Sequence, residues 1–347
     1  MKLRTWVNII TLILLLIVIY FGWDQMVNAW LLMGKVDIRI FLLIIPVQLF
    51  SYYATGEVMF SYLRLKGNIK SMTRWGMARI ALELNFVNHI IPVPSIAGFS
   101  YLGWILKSHE VGVGRSTMTQ IIRFSMMFLS FVLLIIISAI VLIFDHGIDR
   151  TVIAISVAFT IASISSTALL IYIIENRKRV INISAWITLK INKILFKFTR
   201  GKKSKVLKSN VVEDFFIEVH EDYLEILRDK KILLKPFLWS IASNIFDIAL
   251  ILIVFLALGV WVNPATLCIA YATSSFAAIF AATPGGSGIY EAIMIAFLVS
   301  AGIPPGVAIA GTLLARATLF ACTIIFGYVF YQLTINKYGK IENSTDI

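Results

Sequence analysis

The feature that most constrains this chain is the recurrence of apolar runs too long for a soluble core. Phe237 to Val260 carries one charge, Asp247, and Trp6 to Trp23 carries none. A helix needs about 20 mainly apolar residues to cross the hydrocarbon of a bilayer, so these runs are read as membrane spans. The rest of the chain agrees: 59% of its 347 residues are hydrophobic, 14% are charged, and mean hydropathy is +0.88. That balance excludes an ordinary soluble domain. The first run follows Lys2 and Arg4 but ends in Phe21-Gly22-Trp23-Asp24 without a small-residue cleavage site, which predicts a retained span rather than a secretory signal.

The basic residues set the expected sidedness. Arg64, Lys66, Lys70, Arg74 and Arg79 lie close together with no acid among them, and residues 175–235 hold 15 of the 31 lysines and arginines. Excess Lys and Arg marks cytoplasmic loops. The segments Asp24 to Arg39, Asp145 to Arg150, Trp261 to Pro264 and Ala301 to Gly306 carry only Lys35, Arg39 and Arg150, and are expected outside. Full spans at 6–23, 38–60, 117–144, 151–174, 236–260 and 305–333 satisfy these sides and place both termini in the cytoplasm.

Two further apolar stretches, Ala78 to Leu106 and Ala265 to Gly302, are broken near the middle, the first by Pro92, Pro94 and Gly98, the second by Pro284, Gly285, Gly286 and Gly288. Each is read as a re-entrant hairpin, because a single crossing by the first would move the basic loop outside. The spacing repeats: Pro92 and Arg123 are 31 residues apart, Pro284 and Arg316 are 32 apart, and Glu57 and Asp247 precede the two prolines by 35 and 37. The expected fold is therefore an all-α integral membrane protein. It is an inverted-repeat helical bundle of about six full spans and two re-entrant hairpins, eight apolar segments in all. It forms one membrane domain over 1–347, with repeat 1 at 38–145, the basic cytoplasmic loop at 175–235 and repeat 2 at 236–334. In such transporters the substrate site lies where the repeats meet.

Candidate site residues follow from what a membrane interior tolerates. An arginine at mid-span costs roughly 2.5–3.5 kcal/mol, so Arg316 must face a partner or a wet cavity. One reading is a structural ion pair with Asp247; the other is a phosphate site, which a guanidinium fork suits. Arg123 sits nearer the end of its span, where it either joins that site or snorkels to the interface. The tip Pro284, Gly285, Gly286, Ser287 and Gly288 precedes a half-helix, so its free amides suit an anion. Glu291 is placed to balance Arg316, to accept from the tip or to meet a cationic group. The first hairpin, with Asn88, Pro92, Pro94, Ser95 and Gly98, is the counterpart of the second. Glu57, Glu83 and His89 are expected near the cytoplasmic interface, in reach of water. The cysteines, Cys268 and Cys322, lie in apolar segments and the four histidines are scattered. No disulfide framework, metal site or other cofactor is expected.

Within the basic loop, residues 184–198 place Lys190, Lys193 and Lys197 on one helical face and Trp186, Ile187, Ile191, Ile194 and Leu195 largely on others, an interfacial amphipathic pattern. From Arg177 to Lys208 there are eleven basic residues and no acid. The expected partner is anionic phospholipid rather than nucleic acid. The acidic stretch 213–229 is read as a helix packing beneath it.

TPGGSGIYEA at 283–292, the arginine-bearing span after it, and FVNHIIPVPSIAGFSYLGW at 86–104 resemble the transmembrane region of lysylphosphatidylglycerol synthetase and the flippase-like proteins sharing it. Where the commoner form of the 86–104 motif has an acid and an arginine after the turn glycine, this chain has Phe99-Ser100-Tyr101 after Gly98. The resemblance implies a bacterial cytoplasmic membrane protein that translocates or handles anionic, including aminoacylated, phospholipid or another phosphate-bearing lipid. Lysyl transfer is not expected of it, since the longest extramembrane stretch falls short of a domain. Two other functions stay open: a membrane partner of a lipid synthase or cell-envelope glycosyltransferase, and an intramembrane lipid-modifying enzyme using Glu291 or His89. No nucleotide-binding loop is present, so transport would draw on a gradient, the membrane potential or lipid asymmetry.

Overall fold

The computed structural model describes residues 34, 36–67, 69, 72–90, 94–145, 150–198, 209–279, 283 and 286–338. The expected span at 6–23 lies outside them. A short helix α1 (Ile38–Phe41) leads into α2 (Ile44–Leu65), and the two together make one apolar stretch of 28 residues. Next come α3 (Arg74–Ile90), α4 (Pro94–Lys107), α5 (Val113–Asp145) and α6 (Arg150–Ile174). Then follow α7 (Arg177–Phe198) and α8 (Ser209–Arg228), and a 3-10 turn at Lys230–Leu233 opens α9 (Leu234–Ala257). The chain continues through α10 (Pro264–Ile279), α11 (Ile289–Ser300) and α12 (Pro305–Tyr338). Among the described residues there is no strand. Five helical stretches are long and apolar enough to cross a membrane: Ile38–Leu65, Val113–Phe144, Ile153–Ile174, Lys230–Ala257 and Pro305–Asn336.

Both broken stretches fold as pairs of short helices. α3 and α4 have 17 and 14 residues, and α10 and α11 have 16 and 12; each falls short of the ~20 needed to cross alone. Prolines open α4, α10 and α12, where the missing N–H has no helical acceptor to lose. Between α10 and α11 the chain turns on Gly286 (φ 72°) and Gly288 (φ 91°), values that L side chains avoid. A β-carbon at 286 would collide with Ala278 of α10, so the turn seats directly on the preceding helix.

The helices before α7 and those after α8 pack on one another in a matched pattern. α2 packs most extensively on α9, the first long helix of each half on the other. α3 lies against α12 as α10 lies against α5, and α4 contacts α5 as α11 contacts α12. Polar pairs mark the seams: Thr55 to Ser243 at 2.8 Å between α2 and α9, Tyr52 to Thr323 at 2.8 Å between α2 and α12, and Ser240 donating to the Met126 carbonyl at 3.0 Å between α9 and α5.

The two ends of the bundle differ. At one, the Asp37 amide donates to the Ala257 carbonyl at 2.8 Å, and tight turns at Gly259 and Gly302 follow α9 and α11. At the other, α8 is tied to the starts and ends of the spans. Glu218 accepts from the Gly114 amide at 2.9 Å, Asp222 accepts from Arg115 at 2.7 Å, Glu225 pairs with Lys66, and the His220 ring contacts the Ile174 carbonyl at 2.6 Å. The acidic helix does pack beneath the basic one: α8 lies against both α7 and α5.

Candidate functional site

Between the helices that precede α7 and those that follow α8 lies a partly open cavity of about 290 Å³. Its wall draws on α2 (Gln48), α3 (Asn85, Asn88, His89), α5 (Arg123, Phe124), α9 (Asp247), α10 (Tyr271, Ser275), the glycine turn (Gly286), α11 (Tyr290) and α12 (Arg316, Thr323). Two guanidinium groups and one carboxylate therefore share a single chamber, each carried by a long apolar helix.

Arg316 is nearly buried, and its Nε donates to Glu291 Oε1 at 2.8 Å. Its guanidinium lies 4.5 Å from the Tyr290 ring centre and 5.6 Å from that of Phe320, so aromatic faces stabilise the cation on its other sides. The partner carboxylate is thus Glu291, not Asp247. The reason is local: Glu291 is the third residue after the helix-capping Gly288, and its Oε2 accepts from the Gly288 amide at 2.6 Å. That reach back to the cap is the usual geometry of a glutamate at this position, and it leaves the second carboxylate oxygen for Arg316. Thr283 donates to the Ser287 carbonyl at 2.8 Å and closes the turn; Pro284 and Gly285 lie outside the described residues.

Asp247 holds a different environment. Its oxygens accept from Ser51 of α2 and, at 2.9 Å, from the Tyr271 hydroxyl. Arg123 does not run out to an interface; it lines the cavity with its Nη1 3.4 Å from Gln120 Oε1 and its guanidinium 5.5 Å from the Phe124 ring centre. Its Nε is buried and has no hydrogen-bond partner, and the same holds for Gln48 Oε1 and Asn88 Oδ1 in the same wall. Each such group costs about 1–3 kcal/mol, more when charged. That three such side chains line one cavity gives it a wall more polar than the surrounding apolar core.

Of the other residues singled out, His89 enters the cavity wall, its Nδ1 2.8 Å from the Asn85 carbonyl. Pro94 and Ser95 open α4, and Pro92 lies outside the described residues. Gly98 packs so closely on Asn88 that a β-carbon there would displace the amide, and its carbonyl accepts from Gln120 at 3.2 Å. Glu57 and Glu83 do not reach water. Glu57 is 4% exposed and pairs with Arg64; Glu83 is 0% exposed and accepts from Arg79 at 2.8 Å, Tyr101 at 2.6 Å and Thr334 at 2.7 Å. Both stand outside the cavity wall. Gln48, Asn85, Tyr271 and Thr323 were not singled out by sequence. A polar stripe in an otherwise apolar helix, such as Gln48-Ser51-Thr55 at helical spacing on α2, is the signal that points to them.

This arrangement defines a class: a multi-pass integral membrane protein whose helices surround an interior polar cavity with two arginines. The chain belongs to the family of the lysylphosphatidylglycerol synthase TM region, whose model matches residues 6–327. It is similar to the UPF0104 membrane protein MJ1595 of Methanocaldococcus jannaschii, 26% identical over 250 residues that cover 70% of each chain. No solved structure matches it.

Proposed function

We propose that the protein translocates phosphate-bearing lipid across the bilayer, seating the anionic headgroup in the central cavity while the acyl chains remain in hydrocarbon. The observation that carries this reading is Arg123: a buried guanidinium whose Nε lacks a partner, in a chamber shared with Arg316. A phosphate oxygen supplies the charged acceptor that the site leaves open, and two guanidinium groups suit a tetrahedral anion better than a point charge does. The bundle end carrying Arg64, Lys66, Arg115 and the α7–α8 region is, on this reading, cytoplasmic by the excess of basic residues. The two halves then run in opposite senses, the arrangement from which alternating access to a fixed site follows.

The test is movement of a labelled anionic lipid between leaflets of proteoliposomes, normalised to folded protein. Arg123→Leu is expected to abolish movement while leaving thermal stability within about 1 kcal/mol, since no ion pair is broken. Arg316→Leu alone strands Glu291 and should cost about 3–5 kcal/mol. The double variant Arg316→Leu/Glu291→Leu removes both charges, and is expected to recover much of that stability without recovering transport. Full transport by Arg123→Leu, or by the double variant, would reduce the arginines to scaffold and overturn the reading.

A further inference from the structure

Away from the cavity, α7 is a second place where charge is concentrated. Its inner face is fixed: Val180, Ser184 and Thr188, spaced four apart, are buried, and α7 packs against α8. The opposite face is open. Trp186 is 57% exposed and Leu189 71% exposed, beside Lys190, whose ammonium lies 4.3 Å from the Trp186 ring centre. Trp186 thus shares the face of Lys190, where the sequence pattern set it largely apart from the lysines, and Arg179, two turns earlier on the same side, pairs with Glu175 at 3.4 Å.

We propose that this outer stripe of α7 is a docking surface for anionic phospholipid headgroups of the bilayer that α6 traverses, so that α7 and α8 lie against the membrane as a strap. Three observations commit the surface to a bilayer. α7 begins three residues after the end of α6, and Arg179 folds back on that span, donating to the Tyr172 carbonyl at 2.7 Å with its guanidinium 3.6 Å from the Tyr172 ring centre. The stripe therefore starts where a membrane-crossing helix leaves the hydrocarbon. Tryptophan and leucine flanked by lysine form the chemistry of an interfacial helix, with the apolar side chains entering the headgroup layer and the ammonium groups meeting phosphates. Finally, the eleven basic residues from Arg177 to Lys208 occur without one acid, which complements a negative surface along the whole segment. Three of the six acids of the neighbouring helix, Glu218, Asp222 and Glu225, are taken up by Gly114, Arg115 and Lys66 of the bundle; Glu213, Asp214 and Glu221 are the others, and the basic excess from Arg177 to Lys208 outnumbers them.

The experiment reads position rather than transport, so its outcome is separate from that of the translocation reading. The full chain with Cys268→Ala, Cys322→Ala and Leu189→Cys is labelled with an environment-sensitive fluorophore in nanodiscs of phosphatidylcholine, with and without phosphatidylglycerol. Lipid-borne quencher is expected to act at least about twofold more strongly with phosphatidylglycerol present. Raising salt from about 0.1 M to about 1 M, which shortens the screening length from about 10 Å to about 3 Å, should remove the difference. Lys190→Gln/Lys193→Gln/Lys197→Gln should remove it as well, while a label at Trp261→Cys at the other end of the bundle reports unchanged quenching and hence an intact fold. A label equally open to water in both lipids overturns the proposal. So does a label shielded to the same degree in both lipids and indifferent to the triple change, which would show a protein covering the face, or a label shielded only by added RNA.

Discussion

The two hairpins share a topology and differ in what holds them. The first, α3 with α4, is fixed by charge: Glu83 is wholly buried and takes hydrogen bonds from Arg79 on its own helix, Tyr101 on α4 and Thr334 on α12. Its counterpart α10 contains no charged residue. Small side chains replace the ion pair: Ala270, Ala272 and Ser274 are 0% exposed, and Gly286 presses on Ala278. Charge returns only past the turn, where Glu291 joins the Gly288 amide to Arg316. One hairpin is thus locked to the frame by a network outside the cavity, whereas the ionic contact of the other, among the described residues, is to Arg316 of the cavity wall. The first is anchored away from the cavity even though Asn85, Asn88 and His89 of α3 reach its wall, and the second is anchored beside it.

The strongest challenge to this contrast is Glu83→Leu. It strips three donors of their common acceptor and leaves Arg79 one-third exposed, so a loss of about 3 kcal/mol is expected in thermal unfolding. On the translocation proposed above, the fraction that remains folded should still move lipid, and a transport defect at full stability would merge the two hairpins into one functional unit. Gly286→Ala comes next, at about 1–3 kcal/mol, because the backbone there sits at φ 72° and the new carbon meets Ala278. Gly98→Ala is the matched control. It sits in a regular helix and meets only the end of the Asn88 side chain, so a loss below about 1 kcal/mol is expected. Equal losses at the two glycines would show that the turn is no more constrained than the helix.

The smallest effect concerns the end of the bundle. Lys66 beside it holds the Glu225 carboxyl below the usual carboxylate range. A group whose pKa falls on folding adds stability above its unfolded value, about 4.3, and loses it as pH drops through the lower folded value. Glu225 is close to half exposed, so the contribution is under about 1 kcal/mol. Unfolding midpoints of wild type and Glu225→Gln should differ slightly at neutral pH and converge under acid conditions.

Much of the architecture was legible because membranes restrict it so severely. Run length alone marked five helical stretches that the structure contains, and the proline and glycine breaks marked where α3 gives way to α4 and α10 to α11. The recurrence of Arg123 and Arg316 at similar distances from those breaks singled out two residues that share one chamber. The partner of Arg316 was legible only as a choice between Asp247 and Glu291. Asp247 and Glu291 are both carboxylates in apolar surroundings, and only the cap at Gly288 brings Glu291 into range while Ser51 and Tyr271 occupy Asp247. Glu83 was expected in reach of water at the cytoplasmic interface, and the groups that bury it come from distant parts of the chain, Tyr101 of α4 and Thr334 of α12.

The polar wall of the cavity, with Arg123, Arg316 and Asp247 among its residues, has an electrical consequence. Polar groups of this kind in a roomy chamber hold water, and a watery inclusion carries little of the voltage that falls across hydrocarbon. The field across the roughly 30 Å core is then concentrated in the thinner apolar layers that remain. The full potential amounts to about 2.3 kcal/mol per elementary charge for each 100 mV. A headgroup resting beside Arg123 would meet only the share of that drop lying between the chamber and one surface, dividing a single electrical barrier into two smaller ones.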